Sequence, residues 1–356
     1  MSMIIGRLSL ALSMLGARAA AAAGPADAPA ALRSSRTVEN AVLIGWDGAN
    51  RPEVSAMLAA GELPNLSRLV SEGGMADTLV TTGATQTKPG WTEILTGRNA
   101  ENLGIKDNHS YRPIPPGYTI FEILKARIPG IKTVFLAGKD NNVSSRGPHE
   151  ICINCFTRMP PDYAKTHWWD KSEILAKTRT YDGLPRRWER REGEPYFNAA
   201  KSLDIHRIAL GPADRVGESA LSALKRCRGS RFFAFIHFEE PDEQGHIYKD
   251  GSQQYQDAIR AADRWLGRLV AQLKDLGLYD RTSVLVVSDH GFDPGGRDHQ
   301  RAPHTFLAAN LPGLQRTGDR KDVTPTILEA LGIIAPASVL EPLDGRSLWK
   351  SAAEAP

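Results

Sequence analysis

The segment SVLVVSDHGF, from Ser283 to Phe292, is a short branched apolar run that ends in an aspartate, a histidine and a glycine. A run of this length and composition reads as a buried strand. Gly291 lets the chain turn at once, so that the adjacent side chains Asp289 and His290 can face one cavity. The same grammar recurs on either side. AVLIGW (Ala41–Trp46) leads into Asp47, FFAFIHF (Phe232–Phe238) leads into Pro241 and Asp242, and TVFLA (Thr133–Ala137) and FLAA (Phe306–Ala309) complete the set of apolar runs. Amphipathic segments lie between them. The clearest spans Ser252 to Leu276, where Tyr255, Ile259, Ala262, Leu266, Leu269 and Leu273 recur every three or four residues and so line one helix face. Strands alternating with helices predict an α/β fold with a mainly parallel central sheet sandwiched between helices, a design that places ligands at the carboxyl ends of strands.

Composition sets the outer bounds. The chain has 356 residues, 41% hydrophobic and 24% charged, enough for one large domain with a sizeable core. A formal net charge of +3 is too mild and too evenly spread to argue for nucleic-acid duplex or membrane-surface binding, and it is compatible with an anionic substrate. The leader carries Arg7, the apolar run Leu8–Leu15 and small-residue cleavage sites such as Ala17-Arg18-Ala19. That layout predicts a signal peptide over 1–24 and export to the periplasm or the medium. No later apolar run is long enough to span a membrane. The catalytic domain is expected over 38–350. From about Pro160 to Glu194 the rhythm breaks, with His167-Trp168-Trp169 and a basic run Arg186–Arg191, and a cap insertion is expected at about 150–200. Cys152 and Cys155 could close a small disulfide loop in an oxidising compartment, leaving Cys227 single.

Individually the polar clusters have ordinary explanations: Asp47 as a turn or capping aspartate, Asp242 and His246 in PDEQGH (Pro241–His246) as a solvated loop. Jointly they do not. Neighbouring strand ends converge, so Asp47, Asp242 with His246, and Asp289 with His290 are expected around one metal centre. Two metals need a further histidine. His299 and His304 both precede the strand at Phe306, and His299 is the preferred candidate. TQTKPGWTEILTG (Thr85–Gly97) turns helical after Pro89, which puts Thr87 just before a helix N-terminus where amides favour a phosphate. Thr85 and Thr92 are alternatives on local grounds.

Together, Asp47-Gly48, Thr87–Gly97, Gly104–Asn108, Pro241–His246 and Ser288–Phe292 resemble, in order and spacing, the nucleotide pyrophosphatase/phosphodiesterase branch of the alkaline phosphatase superfamily, over roughly Val38 to Trp349. The resemblance implies an alkaline phosphatase-like fold and two divalent metal ions, zinc foremost. Asp242, His246 and His299 would hold one ion; Asp47, Asp289, His290 and the Thr87 oxygen would hold the other. It further implies Thr87 as nucleophile, forming a phospho-threonine, and Asn108 as donor to a phosphoryl oxygen, in the hydrolysis of a phosphodiester, nucleotide pyrophosphate or phosphomonoester. Lys88 stands where relatives often carry an aromatic residue and Leu103 where they often carry histidine, so substrate choice is the point of departure. Lys88, His109, Tyr111 and Trp168-Trp169 are candidate walls of the substrate pocket. A sulfatase or phosphonate hydrolase shares the scaffold, although sulfatases need a convertible Cys or Ser and a nearby Arg that Thr87–Trp91 lacks. A phosphoglycerate mutase and a noncatalytic metal- or anion-binding module are the remaining readings.

Overall fold

The computed structural model describes residues 38–152, 177–181, 184–333 and 342–349. The leader, Cys155 and His167-Trp168-Trp169 lie outside them, and with them the expected signal peptide and the Cys152–Cys155 loop. In chain order the elements are β1 (Asn40–Trp46), α1 (Arg51–Ala59), α2 (Pro64–Glu72), β2 (Gly74–Leu79), α3 (Thr87–Thr96), α4 (Ile120–Arg127), β3 (Lys132–Ala137), β4 (His149–Cys152), β5 (Lys177–Tyr181), β6 (Leu184–Arg191), β7 (Ile205–Arg207), α5 (Ala213–Cys227), β8 (Phe232–Phe238), α6 (Glu240–Tyr248), α7 (Gln253–Asp275), β9 (Thr282–Val287), β10 (His304–Ala309), β11 (Thr317–Asp319) and α8 (Val323–Ala330).

Among the described residues an eight-stranded sheet runs in the order β11-β2-β10-β9-β1-β8-β3-β7. Every neighbouring pair is parallel except the two that β10 makes, with β2 and β9. β1 lies at the centre and is buried throughout. Its side chains alternate between two cores, as the period of a strand requires. Val42, Ile44 and Trp46 pack with Val54, Leu66, Val216 and Leu266, on the side of α1, α2, α5 and α7. Ala41 and Leu43 pack with Trp91, Ile94, Phe121 and Ile327, on the side of α3, α4 and α8. The sandwich expected from the alternation is therefore present, and α7 covers the periodic segment with Ser252 as its N-cap.

Reversal of β10 matters for the site. Its first residue, His304, lies at the same sheet edge as the last residues of its neighbours, so the loop before it reaches the carboxyl ends of β1, β8 and β9. The turn after β1 is pinned from the helix layer: the Tyr255 hydroxyl accepts from Asn50 N at 2.7 Å and donates to the Gly48 carbonyl at 2.8 Å. Between β3 and β7 the chain forms a separate three-stranded antiparallel sheet, β4-β6-β5, where the cap was expected.

Candidate active site

Each polar cluster follows a strand. Asp47 follows β1, Asp242 sits in the first turn of α6 after β8, and Asp289 and His290 follow β9. All four are buried. Backbone approach makes this possible. Gly48 has φ +67°, and a Cβ there would lie 2.9 Å from the Asp242 Cα; a Cβ on Gly90 of α3 would lie 2.8 Å from the Asp289 Cβ. Thr87 is the first residue of α3, behind Gln86. Its Oγ1 is 3.3 Å from His290 Nε2 and 3.4 Å from Lys139 Nζ. The other two threonines point elsewhere. Thr92 Oγ1 donates to the Lys88 carbonyl at 2.7 Å, and Thr85 Oγ1 donates to the His299 carbonyl.

The histidines are oriented by backbone carbonyls. Nδ1 of His246 donates to Arg297 O at 2.7 Å, Nδ1 of His290 to Gly291 O at 3.0 Å, and Nδ1 of His299 to Thr85 O at 2.5 Å. A carbonyl only accepts, so each Nδ1 carries a proton, and in the neutral ring each Nε2 keeps a lone pair for a cation. Asp242, His246 and His299 offer ligand atoms within 4.8 Å of one another, as do Asp47, Asp242 and His290. Asp242 is thus drawn into both groups, where the sequence pattern set it in one. Asp289 Oδ2 lies 3.5 Å from His290 Nε2 and has no hydrogen-bond partner among the described residues. Of the two candidate third histidines, His299 is buried with its ring centroid 4.1 Å from that of His290, whereas His304 is exposed.

Two residues in the site escaped the sequence pattern. Lys139, two positions beyond β3, donates to Asp47 Oδ1 at 2.9 Å and to Asp242 Oδ2 at 2.6 Å. The signal was available: Gly138-Lys139-Asp140 follows an apolar run just as the other clusters do. The second is His237 of β8, whose Nε2 donates to Asp47 Oδ2 at 2.7 Å beside Trp91 Nε1 at 3.1 Å. Inside an apolar strand it reads as core. Its support leaves Asp47 Oδ1 turned toward Lys139 and His290.

Burial drives the Asp47 carboxyl up, but Lys139 and the His237 hydrogen bond hold it down at about 2. Asp242 meets the same opposition of burial against Lys139 and ends well below the usual carboxylate range. Asp289 is pushed well above it by burial and by the Asp47 charge. Burial and the neighbouring His299 lower His290 to about 3, so its ring is neutral. Asp47 and Asp242 are thus held as anions beside one ammonium while Asp289 is driven toward the neutral acid, and all three are anionic together only if further positive charge enters. Carboxylate oxygens and imidazole Nε2 lone pairs are donors that suit zinc. The residues present fit divalent cations.

Asn108 lies beside the start of α3, next to Gln86 and Lys88. Its N donates to Gln86 Oε1 and its Oδ1 accepts from Lys88 N, both at 2.8 Å, which leaves its Nδ2 without a partner among the described residues. Behind the site, Arg320 joins α3 to β9. Its Nε reaches Glu93 Oε2 at 2.5 Å, its Nη1 donates to the Asp289 carbonyl at 3.1 Å, and both side chains of the pair are fully buried. Burial raises the Glu93 carboxyl even so. Arg320→Met is expected to cost about 3 to 5 kcal/mol in a urea unfolding titration, because it strands a buried carboxylate. A loss below about 1 kcal/mol would show that the pair contributes little.

A mostly parallel sheet with carboxylates and imidazoles gathered around a hydroxyl at its strand ends defines the alkaline phosphatase-like class. Solved structures share this fold: a protein in the alkaline phosphatase superfamily from Vibrio parahaemolyticus (TM-score 0.51, 16% identity, 88% of this chain and 70% of that one) and a 2-O GAG sulfatase (TM-score 0.55, 13% identity, 87% and 73%). The chain belongs to the type I phosphodiesterase / nucleotide pyrophosphatase family, whose pattern matches residues 41–337. Similar curated proteins include bis(5'-adenosyl)-triphosphatase enpp4 of Xenopus laevis, 24% identical over 70% of this chain and 46% of that protein. Human ectonucleotide pyrophosphatase/phosphodiesterase family member 1 is 26% identical over 66% and 22%. A Synechococcus elongatus 2,3-bisphosphoglycerate-independent phosphoglycerate mutase is 30% identical over 40% and 28%. The chain spans about half the length of the first of these relatives.

Proposed function

We propose that the protein hydrolyses phosphate esters, with Thr87 as the nucleophile and a phospho-threonine as the intermediate. Thr87 Oγ1 attacks phosphorus and the bond to the leaving oxygen breaks; water then attacks the same phosphorus, breaks its bond to Oγ1 and restores the hydroxyl. The position of Thr87 Oγ1 carries this reading: it begins a helix whose free amides favour a phosphate, and it faces the carboxylate and imidazole cluster. Divalent cations, zinc foremost, held by Asp242, His246 and His299 and by Asp47, Asp289 and His290 with the Thr87 oxygen, would stabilise charge on the entering and leaving oxygens. Asn108 Nδ2 would donate to a phosphoryl oxygen, its Oδ1 being held by Lys88 N. Lys139 would keep the attacking oxygen in a positive field.

The small β4-β6-β5 sheet would form the cap of a catalytic domain over 38–350, and the leader would direct export. No helix among the described residues is long and apolar enough to cross a membrane. Zinc-replete protein is to be assayed on bis(p-nitrophenyl) phosphate, p-nitrophenyl phosphate and p-nitrophenyl sulfate. A phosphate ester should turn over fastest. Faster sulfate release would transfer the site to the sulfatase reading, and no turnover of any of the three would favour a noncatalytic binding module.

A further inference from the structure

Lys88 and Asn108 also form the floor of a cavity of about 410 Å³, a size that takes a small organic group. Tyr111, Arg146, His149 and Arg191 contribute its walls, the last from the end of β6. Two carboxylates face it, Asp140 and Glu194. Glu194 is already engaged: its Oε2 lies 3.0 Å from the buried Lys88 ammonium. Arg191 stands with its guanidinium 3.1 Å from the Tyr111 ring centroid, and its buried Nε has no hydrogen-bond partner among the described residues. Arg146 is exposed and forms no ion pair among the described residues. Arg191 is engaged with the Tyr111 side chain, yet neither it nor Arg146 has an ion-pair partner among the described residues, so two guanidinium charges, with His149 beside them, outweigh Asp140. Tyr111 is the one phenyl ring in the wall, and Arg191 covers it, so the cavity presents a planar cation where a nucleobase would need a bare aromatic face.

On the reading that Thr87 attacks phosphorus, we infer that this cavity receives the organic substituent of the phosphate, and that this substituent carries an anionic oxyacid group held by Arg191 and Arg146. A guanidinium fork matches the planar oxygens of a carboxylate or a second phosphate, and a desolvated wall makes the match selective.

The test uses four p-nitrophenyl phosphodiesters that share one leaving group and differ in the second substituent: methyl, 2-carboxyethyl, 2-phosphonooxyethyl and thymidine-5′. One or both anionic esters should exceed the methyl ester in kcat/KM by about tenfold or more, and the better of the two identifies the oxyacid. Arg191→Met and Arg146→Ala should each cut that ratio by about fivefold, mainly through KM, with Arg191→Lys restoring part of it. Arg146 is a surface residue, so its variant keeps the test intact if the Arg191 variants fold poorly. Equal turnover of methyl and anionic esters, a preference for the thymidine ester, or ratios that neither substitution moves would overturn the inference alone. If none of the four releases nitrophenolate, the hydrolase reading falls and takes the inference with it.

Discussion

Thr87→Ala is expected to lower kcat for a p-nitrophenyl phosphodiester by about a thousandfold or more, with zinc content and melting temperature close to those of the parent protein. The substitution removes the proposed attacking oxygen, and with it one oxygen donor to a cation that Asp47, Asp289 and His290 would still hold. Thr87 Oγ1 bonds no backbone group; its neighbours are His290 Nε2 and Lys139 Nζ. Alanine is also a good residue for the first turn of a helix, so α3 should persist. Thr92→Ala provides the control, since that hydroxyl donates to the Lys88 carbonyl one turn back and should matter to the helix rather than the chemistry. A Thr87→Ala enzyme retaining more than about a tenth of parental kcat would remove threonine from the mechanism.

Asp242→Ala should have the broadest effect on metal content. Asp242 offers an oxygen to both groups of candidate ligands, with His246 and His299 on one side and Asp47 and His290 on the other. Removing it is expected to drop bound zinc from about two per chain to below one after dialysis, and to abolish turnover at micromolar zinc. His246→Ala and Asp47→Ala should each weaken a single group and leave about one zinc behind. Metal analysis of the three dialysed variants separates these outcomes. Undiminished zinc in Asp242→Ala would show that the two groups do not share this carboxylate.

The alternatives that the sequence left open at individual positions differ in their contacts across large separations. Nothing local distinguishes Thr85, Thr87 and Thr92, because each lies close to the start of α3. The difference is what each hydroxyl meets: a carbonyl of the loop before β10, the cluster at the sheet edge, or a carbonyl of its own helix. His299 and His304 likewise differ by five positions, and burial tells them apart because β10 runs against its neighbours. Lys139 shows the converse. Its place after an apolar run was visible, yet its meaning depends on the carboxylates of two other strand ends.

By itself, the sequence determined the layered α/β design, the family, and which strands end in carboxylate and imidazole side chains, because burial imposes short apolar runs and a helical period that survive in one dimension. Tertiary structure alone decided which donors share a cavity, that Asp242 is common to both groups, and that Arg146 and Arg191 line one cavity with Lys88. These depend on strand order and on the direction of β10, and neither leaves a periodic trace in the chain.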